Sequence, residues 1–401
     1  MKTGKRAMSL VVAGPLLVGM LAGCGNFWQA PSTTGGTSCT TNCTTASSGA
    51  FYILNAGTTP QIIGDTVVSG KLTSISGSPW TLQATPYALA IAGNGDYLMV
   101  STTSGVFAYP LTNGVLGTGT VVSTDQAYAI QIDATSSWLI EAIPDTGGVT
   151  VGAVPINSST GATNGTEQTA TFSVANAAVQ SNKMVISGDN ANIFISLGAG
   201  GTIAVPFNSG VTAGSNPLGA KANLIGPANA SGSALSVAVS PGTAPSLIYI
   251  GETLADSTGT TGGLRVFNYS SLGSTLTQAT GSPLTSGGLA PNSILPIASG
   301  SYVYVANGEG STSAGNVTGF TITPSGTTTI TYSLAKDTST AAGVQPLALA
   351  EDSTGAFVFE VGSLGSPYFD SFTFDTTTAG QLDTQLTATA AASYTAVVAT
   401  P

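Results

Sequence analysis

Residues 86–116 read PYALAIAGNGDYLMVSTTSGVFAYPLTNGVL. Three short apolar runs in this stretch are separated by the clusters GNGD and TTSG, and a TNG cluster follows the third run. Glycine, asparagine and aspartate favour tight turns because they tolerate a positive φ or bond to their own backbone. Short apolar runs between such clusters are typical of antiparallel strands joined by hairpins. Because the same unit recurs along the chain, the number of copies predicts the fold.

Each unit begins with an alternating apolar run, which we interpret as the inner strand of a propeller blade. Seven such runs occur, at residues 86–91, 127–132, 177–181, 234–239, 291–296, 346–350 and 394–398. They begin about 41 to 57 residues apart, which is typical of four-stranded blades. A β-sandwich would show no tandem period, and a β-helix would show a shorter one. The sequence therefore predicts an all-β, seven-bladed propeller whose most irregular blade lies at residues 177–218.

The seventh inner run lies at the C-terminal end of the sequence, at residues 394–398. The apolar run at residues 51–54, FYIL, has the pattern of a second strand but no inner run before it. We therefore predict that the C-terminal strand pairs into the first blade and closes the ring. Closure would leave no open inner edge, which is a hazard for a large β-protein. The predicted propeller domain spans residues 50–401.

Charge excludes one class of partner. Charged residues make up 6% of the chain, against about 25% in an average soluble protein, and the formal net charge is −10. Removal of Lys2, Lys5 and Arg6 with an N-terminal leader would take this charge to −13. Nucleic-acid binding requires a basic surface, which so few cations do not supply. We therefore exclude nucleic acid as a partner.

The N-terminus has the pattern of a secretion signal. A basic start precedes the short apolar segment at residues 8–20, which ends at Leu21-Ala-Gly-Cys24. An uncleaved membrane helix is the alternative, but about 17 apolar residues broken by Pro15 are short for one. The Leu-Ala-Gly-Cys motif resembles the lipobox of bacterial lipoproteins. This resemblance implies a signal peptide at residues 1–23, lipid attachment to Cys24 and, because Gly25 follows it, an outer-membrane location.

Residues 24–49 form a predicted linker after the lipidated cysteine, rich in Ser, Thr and Gly. It contains Cys39 and Cys43, and an exported chain permits a disulfide between them. We favour the disulfide over two free thiols. A metal site here would need further Cys or His ligands, and the sequence contains no histidine.

Several motifs resemble the lactonase family of seven-bladed propellers, which includes 6-phosphogluconolactonase-type and carboxy-muconate cyclase-type proteins. They are PYALAI (86–91), GDYLMV (95–100), YVYVAN (302–307) and the Gly-Ser-Pro closers at 77–79 and 281–283. The resemblance covers residues 50–401 and implies a lactone-hydrolysing activity. Such a reaction needs a base or metal that activates water, and a cation or amide pair for the oxyanion. The matching residues are strand and turn positions, so no catalytic residue is transferred.

Polar residues at the ends of the predicted second strands are candidate ligand contacts. Alignment of the blades places Asn55, Thr102, Glu252 and Asn307 at equivalent positions at the ends of second strands. In their own blades, Glu141 and Glu360 lie two residues before this position. If several face the channel, the carboxylates share a proton or hold a divalent cation such as calcium. The alternative is that they are solvated or bond to turn amides. No metal site or cofactor is identified from sequence.

Arg265 is a further candidate, either as an anchor for an anionic ligand or in an ion pair with Glu252 or Asp256. The polar segments at 189–192, 198–201 and 351–355 are predicted turns, because the features of calcium or phosphate loops are missing. The large aromatic residues are predicted to pack within blades rather than to form a sugar platform: Trp80, Trp138, Tyr87 and Tyr128.

The sequence shows a fold more clearly than a reaction. Without histidine, a Ser-His-Asp triad is excluded, and Glu252, Glu360, Glu141 and Arg265 are the only catalytic candidates. We therefore expect a lipid-anchored cell-envelope propeller with a binding or scaffolding role, whose partner is an envelope protein, a small molecule or a carbohydrate. The alternative is a lactone hydrolase that acts outside the cytoplasm.

Overall fold

The computed structural model describes residues 47–401 except 212–213, 243–246, 256–260, 270–275, 309–314, 324–328, 337–344, 365, 379 and 390–391; for 322–323 and 329–336 it describes the backbone alone. The predicted signal peptide, Cys24, Cys39 and Cys43 lie outside these residues. Within this part of the chain, no helix has the length and apolar character needed to cross a membrane. Its regular elements are β-strands.

The strands form separate sheets in chain order. Blade 1 contains β1 (Phe51–Asn55), β2 (Gln61–Val68), β3 (Lys71–Ser74) and β4 (Trp80–Thr81). Blade 2 contains β5 (Pro86–Ile91), β6 (Tyr97–Thr102), β7 (Gly105–Thr112), β8 (Val115–Leu116) and β9 (Thr120–Ser123). Blade 3 contains β10 (Ala129–Ile132), β11 (Trp138–Asp145), β12 (Gly148–Pro155) and β13 (Gln168–Ser173). Blade 4 contains β14 (Met184–Ile186), β15 (Asn192–Ser196), β16 (Thr202–Pro206) and β17 (Asn223–Ile225).

The second half of the chain repeats this arrangement. Blade 5 contains β18 (Ala234–Val239), β19 (Leu247–Glu252), β20 (Gly263–Asn268), β21 (Thr277–Gln278) and β22 (Leu284–Thr285). Blade 6 contains β23 (Ala290–Pro296), β24 (Tyr302–Gly308), β25 (Asn316–Thr323) and β26 (Thr329–Lys336). Blade 7 contains β27 (Pro346–Glu351), β28 (Phe357–Gly362), β29 (Phe369–Phe374) and β30 (Leu382–Ala388). The last strand, β31 (Tyr394–Ala399), pairs antiparallel with β1.

The inner strands form a closed ring around a central channel. In order they are β31, β5, β10, β14, β18, β23 and β27, and β27 in turn contacts β31. Ile53 of β1 lies opposite Val397 of β31, so the C-terminal strand is the inner strand of blade 1. The prediction of a seven-bladed, four-stranded propeller closed by its C-terminal strand is confirmed.

Alternating apolar residues on each strand pack between neighbouring blades, which is where the core lies. At the junction of blades 7 and 1, Phe51 stacks on Phe359 and Phe369 with ring centroids 4.2 and 5.5 Å away. Trp138 is 5% exposed, and its indole N–H donates to the Ser209 carbonyl at 3.1 Å. Trp80 packs against the core cluster between blades 1 and 2. Both tryptophans therefore pack within the blades, as predicted.

The Gly-Ser-Pro closers have a specific role in blades 1 and 5. The Ser78 hydroxyl accepts a hydrogen bond from the Gly64 N–H at 3.0 Å, and the Ser282 hydroxyl accepts one from the Val266 N–H at 2.8 Å. In each blade the serine hydroxyl thus accepts a hydrogen bond from the third strand that a main-chain carbonyl of a neighbouring strand would otherwise accept. The short strands β4 and β22 follow directly and pair with β2 and β20.

The predicted inner strand of blade 4 is wrong. We expected it at residues 177–181, but the strand is Met184–Ile186. The Gln180 N–H still donates to Ser196 on β15, but the chain then turns, and Asn182 takes a φ of 58°. The turn at Asn182 interrupts the pairing, which resumes where the Ser196 N–H donates to the Lys183 carbonyl at 3.0 Å and continues from Met184. Contacts made by Asn182 and Lys183 inside the channel, which the local pattern does not reveal, account for the difference.

Candidate functional site

The four residues predicted at equivalent second-strand ends do occupy equivalent positions. Each lies opposite the first or, for Asn307, the second paired residue of its inner strand, as the registers Asn55↔Tyr394, Thr102↔Pro86, Glu252↔Ala234 and Asn307↔Pro291 show. All four are buried. Asn55 Oδ1 accepts from the Gly57 N–H at 3.1 Å, and Asn307 Nδ2 donates to the Ser286 carbonyl at 2.8 Å. The Thr102 hydroxyl donates to the Gly105 carbonyl at 2.9 Å, so these side chains organise turns.

Glu252 and Arg265 form a buried ion pair. Arg265 Nη1 lies 2.8 Å from Glu252 Oε1, and the two residues are 9% and 1% exposed. Glu252 Oε2 accepts from the Ala228 N–H at 3.0 Å, and Arg265 Nη1 also donates to the Gly226 carbonyl at 2.8 Å. Burial raises the pKa of Glu252, and Arg265 opposes this rise. The guanidinium is therefore held by the protein itself, while Asp256, the other predicted partner, lies outside the described residues.

Glu141 and Glu360 are wholly buried in the second strands of blades 3 and 7. Glu141 lies opposite Ile130, and Glu360 lies opposite Leu349 and Asp370. The corresponding positions of other blades hold core residues such as Val100 and Val305. Within the described ranges, no acidic cluster combines Glu141 with Glu252 or Glu360. The predicted carboxylates belong to three non-adjacent blades and do not converge on one channel site.

The channel is instead crossed by Asn182 and Lys183, which sequence reasoning did not select. Lys183 Nζ donates to the carbonyl of Leu347 on β27 at 2.6 Å, which links blade 4 to blade 7 across the ring. Asn182 Oδ1 accepts from the N–H of Leu89 on β5 at 3.3 Å, and its own N–H donates to the Tyr128 carbonyl at 2.9 Å. Together they connect blade 4 with blades 2, 3 and 7.

Lys183 is electrostatically isolated. Burial lowers the pKa of its ammonium group to about 8. Among the residues that the structure describes, the recorded ion pair joins Arg265 to Glu252, and no carboxylate pairs with Lys183. A lysine ammonium has three donor hydrogens, and the Leu347 carbonyl takes one of them. The site therefore offers positive charge and further donors inside the channel.

An aromatic pair belongs to blades 2 and 3, the two blades that Asn182 contacts. Tyr87 on β5 and Tyr128, just before β10, pack with ring centroids 4.5 Å apart, and both are partly exposed. Burial, followed by the neighbouring Tyr128, raises the pKa of Tyr87. The two rings pack against each other as predicted, yet they also offer an aromatic surface next to Asn182. The irregular sequence before β14 was the one signal that could have indicated this site.

A groove of 690 Å³ is lined by residues at the C-terminal ends of the inner strands of blades 6 and 7. Its acidic residues Glu351 and Asp352 accept hydrogen bonds from the main chain, Glu351 from blade 6 and Asp352 from its own turn. Glu351 Oε2 accepts from the Ala298 N–H at 2.6 Å, and Asp352 Oδ1 accepts from the Phe357 N–H at 2.8 Å. The segment 351–355 is thus a turn, as predicted. The channel site at Lys183 remains the better candidate site.

The closed ring of seven four-stranded blades defines the protein class, and its structural neighbours are 6-phosphogluconolactonase-like propellers. One is a putative 6-phosphogluconolactonase from Bacteroides fragilis, with a TM-score of 0.62 and 14% identity, over 88% of this chain and 98% of that one. Another is PpgL, a periplasmic gluconolactonase from Pseudomonas aeruginosa, with a TM-score of 0.62 and 15% identity over the same shares. At this identity the likeness shows the fold. No protein-family model matches the sequence, and no curated protein matches it.

Proposed function

We propose that this chain is a lipid-anchored, outer-membrane propeller of the bacterial cell envelope that binds a small ligand carrying a carboxylate or a lactone carbonyl. The observation that carries the ligand class is Lys183, a cation that is held across the channel and has no carboxylate partner among the described residues. Lys183 is partly buried, and withdrawing a charge from water is costly unless the charge is paired or fully hydrogen-bonded. A ligand oxygen at the remaining ammonium donors would complete this pairing.

The surroundings of Lys183 favour a small hydroxylated ring or chain. Asn182 fixes the position of the lysine through blades 2 and 3. The partly exposed Tyr87–Tyr128 pair offers an apolar surface with polar hydroxyls, which suits the faces and edges of such a ligand. The site thus combines one charge, one amide and one aromatic surface.

Lactone hydrolysis is the second candidate function. Because the pKa of Lys183 is lowered to about 8, the neutral amine is accessible under mildly alkaline conditions and can serve as a general base towards water. In its charged form the same group can stabilise a developing oxyanion. The fold neighbours described as lactonases support this alternative through the fold alone.

Lys183→Met is expected to weaken the binding of gluconate, a polyhydroxy carboxylate, by at least about tenfold, because one charge-assisted hydrogen bond is lost. Isothermal titration calorimetry with the purified protein measures this. The matched control is Lys221→Met, which removes an exposed lysine from the same blade and should leave affinity unchanged. If the wild-type protein and Lys221→Met hydrolyse δ-gluconolactone and Lys183→Met does not, the hydrolase function is favoured. Unchanged binding and turnover in that variant would exclude this site.

The same binding should depend on pH in a defined direction. The ammonium of Lys183 loses its proton as the pH rises through about 8, so affinity for a carboxylate should fall between about pH 7 and pH 9. Lys183→Arg keeps its charge over this range and should remove the pH dependence. An affinity that stays constant for the wild-type protein would contradict the proposed contact.

The proposal of a membrane anchor is based on the N-terminal sequence that ends at Cys24. The proposal of an outer-membrane location is based on Gly25, which follows this cysteine. Cys24→Ser is expected to remove the protein from the outer-membrane fraction, because the atom that carries the lipid is removed. Cell fractionation and the mass of the mature N-terminus measure this, with Cys39→Ser as the matched control. A Cys24→Ser protein that stays with the outer membrane would contradict the anchor.

A further inference from the structure

Three acidic side chains meet between blades 2 and 3. Asp125 lies in the connection that follows β9, Glu141 lies on β11, and Glu167 immediately precedes β13. One carboxylate oxygen from each residue lies within 4.8 Å of the other two. Sequence reasoning selected Glu141 alone, and for a different site.

Glu141 is the interior member of this cluster. It is wholly buried, and its Oε2 accepts a hydrogen bond from the Ser123 hydroxyl at 3.1 Å. Its Oε1 is buried without a hydrogen-bond partner among the described residues, and the same holds for Glu167 Oε1. A buried polar atom without a partner costs free energy, so two such carboxylate oxygens on members of one cluster indicate a bound species that satisfies them.

The cluster has no compensating positive charge. In the described part of the chain, the recorded ion pair joins Arg265 to Glu252 in blade 5, and no lysine or arginine pairs with Asp125, Glu141 or Glu167. Carboxylates held this close repel one another when all are ionised. Either protons or a cation must relieve this repulsion.

Gly152 provides the space in which the carboxylates converge. It lies opposite Glu141 in the strand register, and a Cβ atom at this position would overlap Glu167 Oε1 and lie 3.4 Å from Glu141 Oε2. Its φ is not among the positive values of the chain, so the backbone conformation does not require glycine. The missing side chain therefore serves the oxygen cluster.

We propose that Asp125, Glu141 and Glu167 bind a divalent cation, Ca²⁺ in preference to Mg²⁺, that fastens blade 2 to blade 3. Oxygens within 4.8 Å of one another can all contact one ion at about 2.3–2.6 Å, the usual Ca²⁺–oxygen distance. Three carboxylates without nitrogen or sulfur donors favour a hard cation over zinc or copper. Water would complete the coordination at the partly exposed Asp125 and Glu167.

The test uses the purified protein after treatment with a chelator and removal of that chelator. The Tm should rise with added Ca²⁺ and rise less with Mg²⁺, because an ion that binds the folded state stabilises it. Glu141→Gln should abolish the response. The matched control is Glu360→Gln, which neutralises a wholly buried glutamate at the corresponding position of blade 7 and should keep the response.

A direct binding measurement keeps the proposal testable if Glu141→Gln does not fold. Equilibrium dialysis with radioactive Ca²⁺ should find one ion per chain in the wild-type protein and none in Asp125→Asn, which changes a partly exposed residue. The proposal is overturned if the wild-type protein binds no Ca²⁺ at about 10 mM, above the range of weak extracellular sites. It is also overturned if Asp125→Asn binds as much Ca²⁺ as the wild-type protein.

Discussion

Replacing Arg265 with Met is expected to lower the free energy of unfolding by about 3–5 kcal/mol. The guanidinium lies 2.8 Å from Glu252 Oε1, and Glu252 is 1% exposed, so the substitution leaves a carboxylate buried without its cation. The Gly226 carbonyl also loses its donor, and the contact between the guanidinium and the Phe267 ring, 4.8 Å away, is lost. Denaturant unfolding followed by circular dichroism measures the change.

A second variant separates the buried charge from the lost packing. The double variant Arg265→Met with Glu252→Leu removes both charges and should recover most of the lost stability, because no unpaired ion remains. Glu252→Leu alone should be strongly destabilising, since it isolates the arginine. A loss below about 1 kcal/mol for Arg265→Met would show that the pair behaves like an exposed salt bridge and would contradict its burial.

Ending the chain after Ser393 is expected to abolish the folded ring. The deletion removes β31, so β1 loses its inner partner from Phe51↔Ala399 to Asn55↔Tyr394. It also uncovers the aromatic stack of Phe51, Phe359 and Phe369, whose core cluster includes Tyr394 and Val397. An open inner strand edge next to exposed apolar surface promotes association between chains.

Size-exclusion chromatography and thermal unfolding of the shortened protein measure this result. We expect aggregation and no cooperative transition. The matched control removes the exposed Pro401 alone and should leave the Tm within a few degrees of the wild-type value. A shortened chain that stays monomeric with an unchanged Tm would show that β31 does not contribute to ring closure.

The fold was predictable from the sequence because a propeller repeats one local pattern. The period of the inner runs gave the number of blades, and the unpaired run at 51–54 identified the closing strand. Equivalent positions such as Thr102 and Asn307 also followed from alignment of the repeats. These features depend on residues near one another in the chain, which is the information that periodicity contains.

The sites were less predictable because they depend on contacts between distant blades. Lys183 and Leu347 are 164 positions apart, and their bond exists because the ring brings opposite blades together across the channel. The predicted irregularity of blade 4 did not indicate the position of the turn, which is at Asn182. Likewise, the sequence offered Glu141 either as a channel residue or as a solvated or turn-bonding residue, whereas it is wholly buried beside Asp125 and Glu167.

The pairing of β1 with both β2 and β31 has a mechanical consequence for a chain that is attached at its N-terminus. Ser47 bridges Val68, and the Ser48 N–H donates to the Val67 carbonyl at 2.8 Å, so this segment continues the line of β1 beside β2. Tension applied on the N-terminal side of Ser47 therefore pulls β1 lengthwise between β2 and β31. Lengthwise tension strains the cross-strand bonds on both sides together, in shear, instead of opening them one at a time. The first blade is thus built to resist force at the point where a tether would join it.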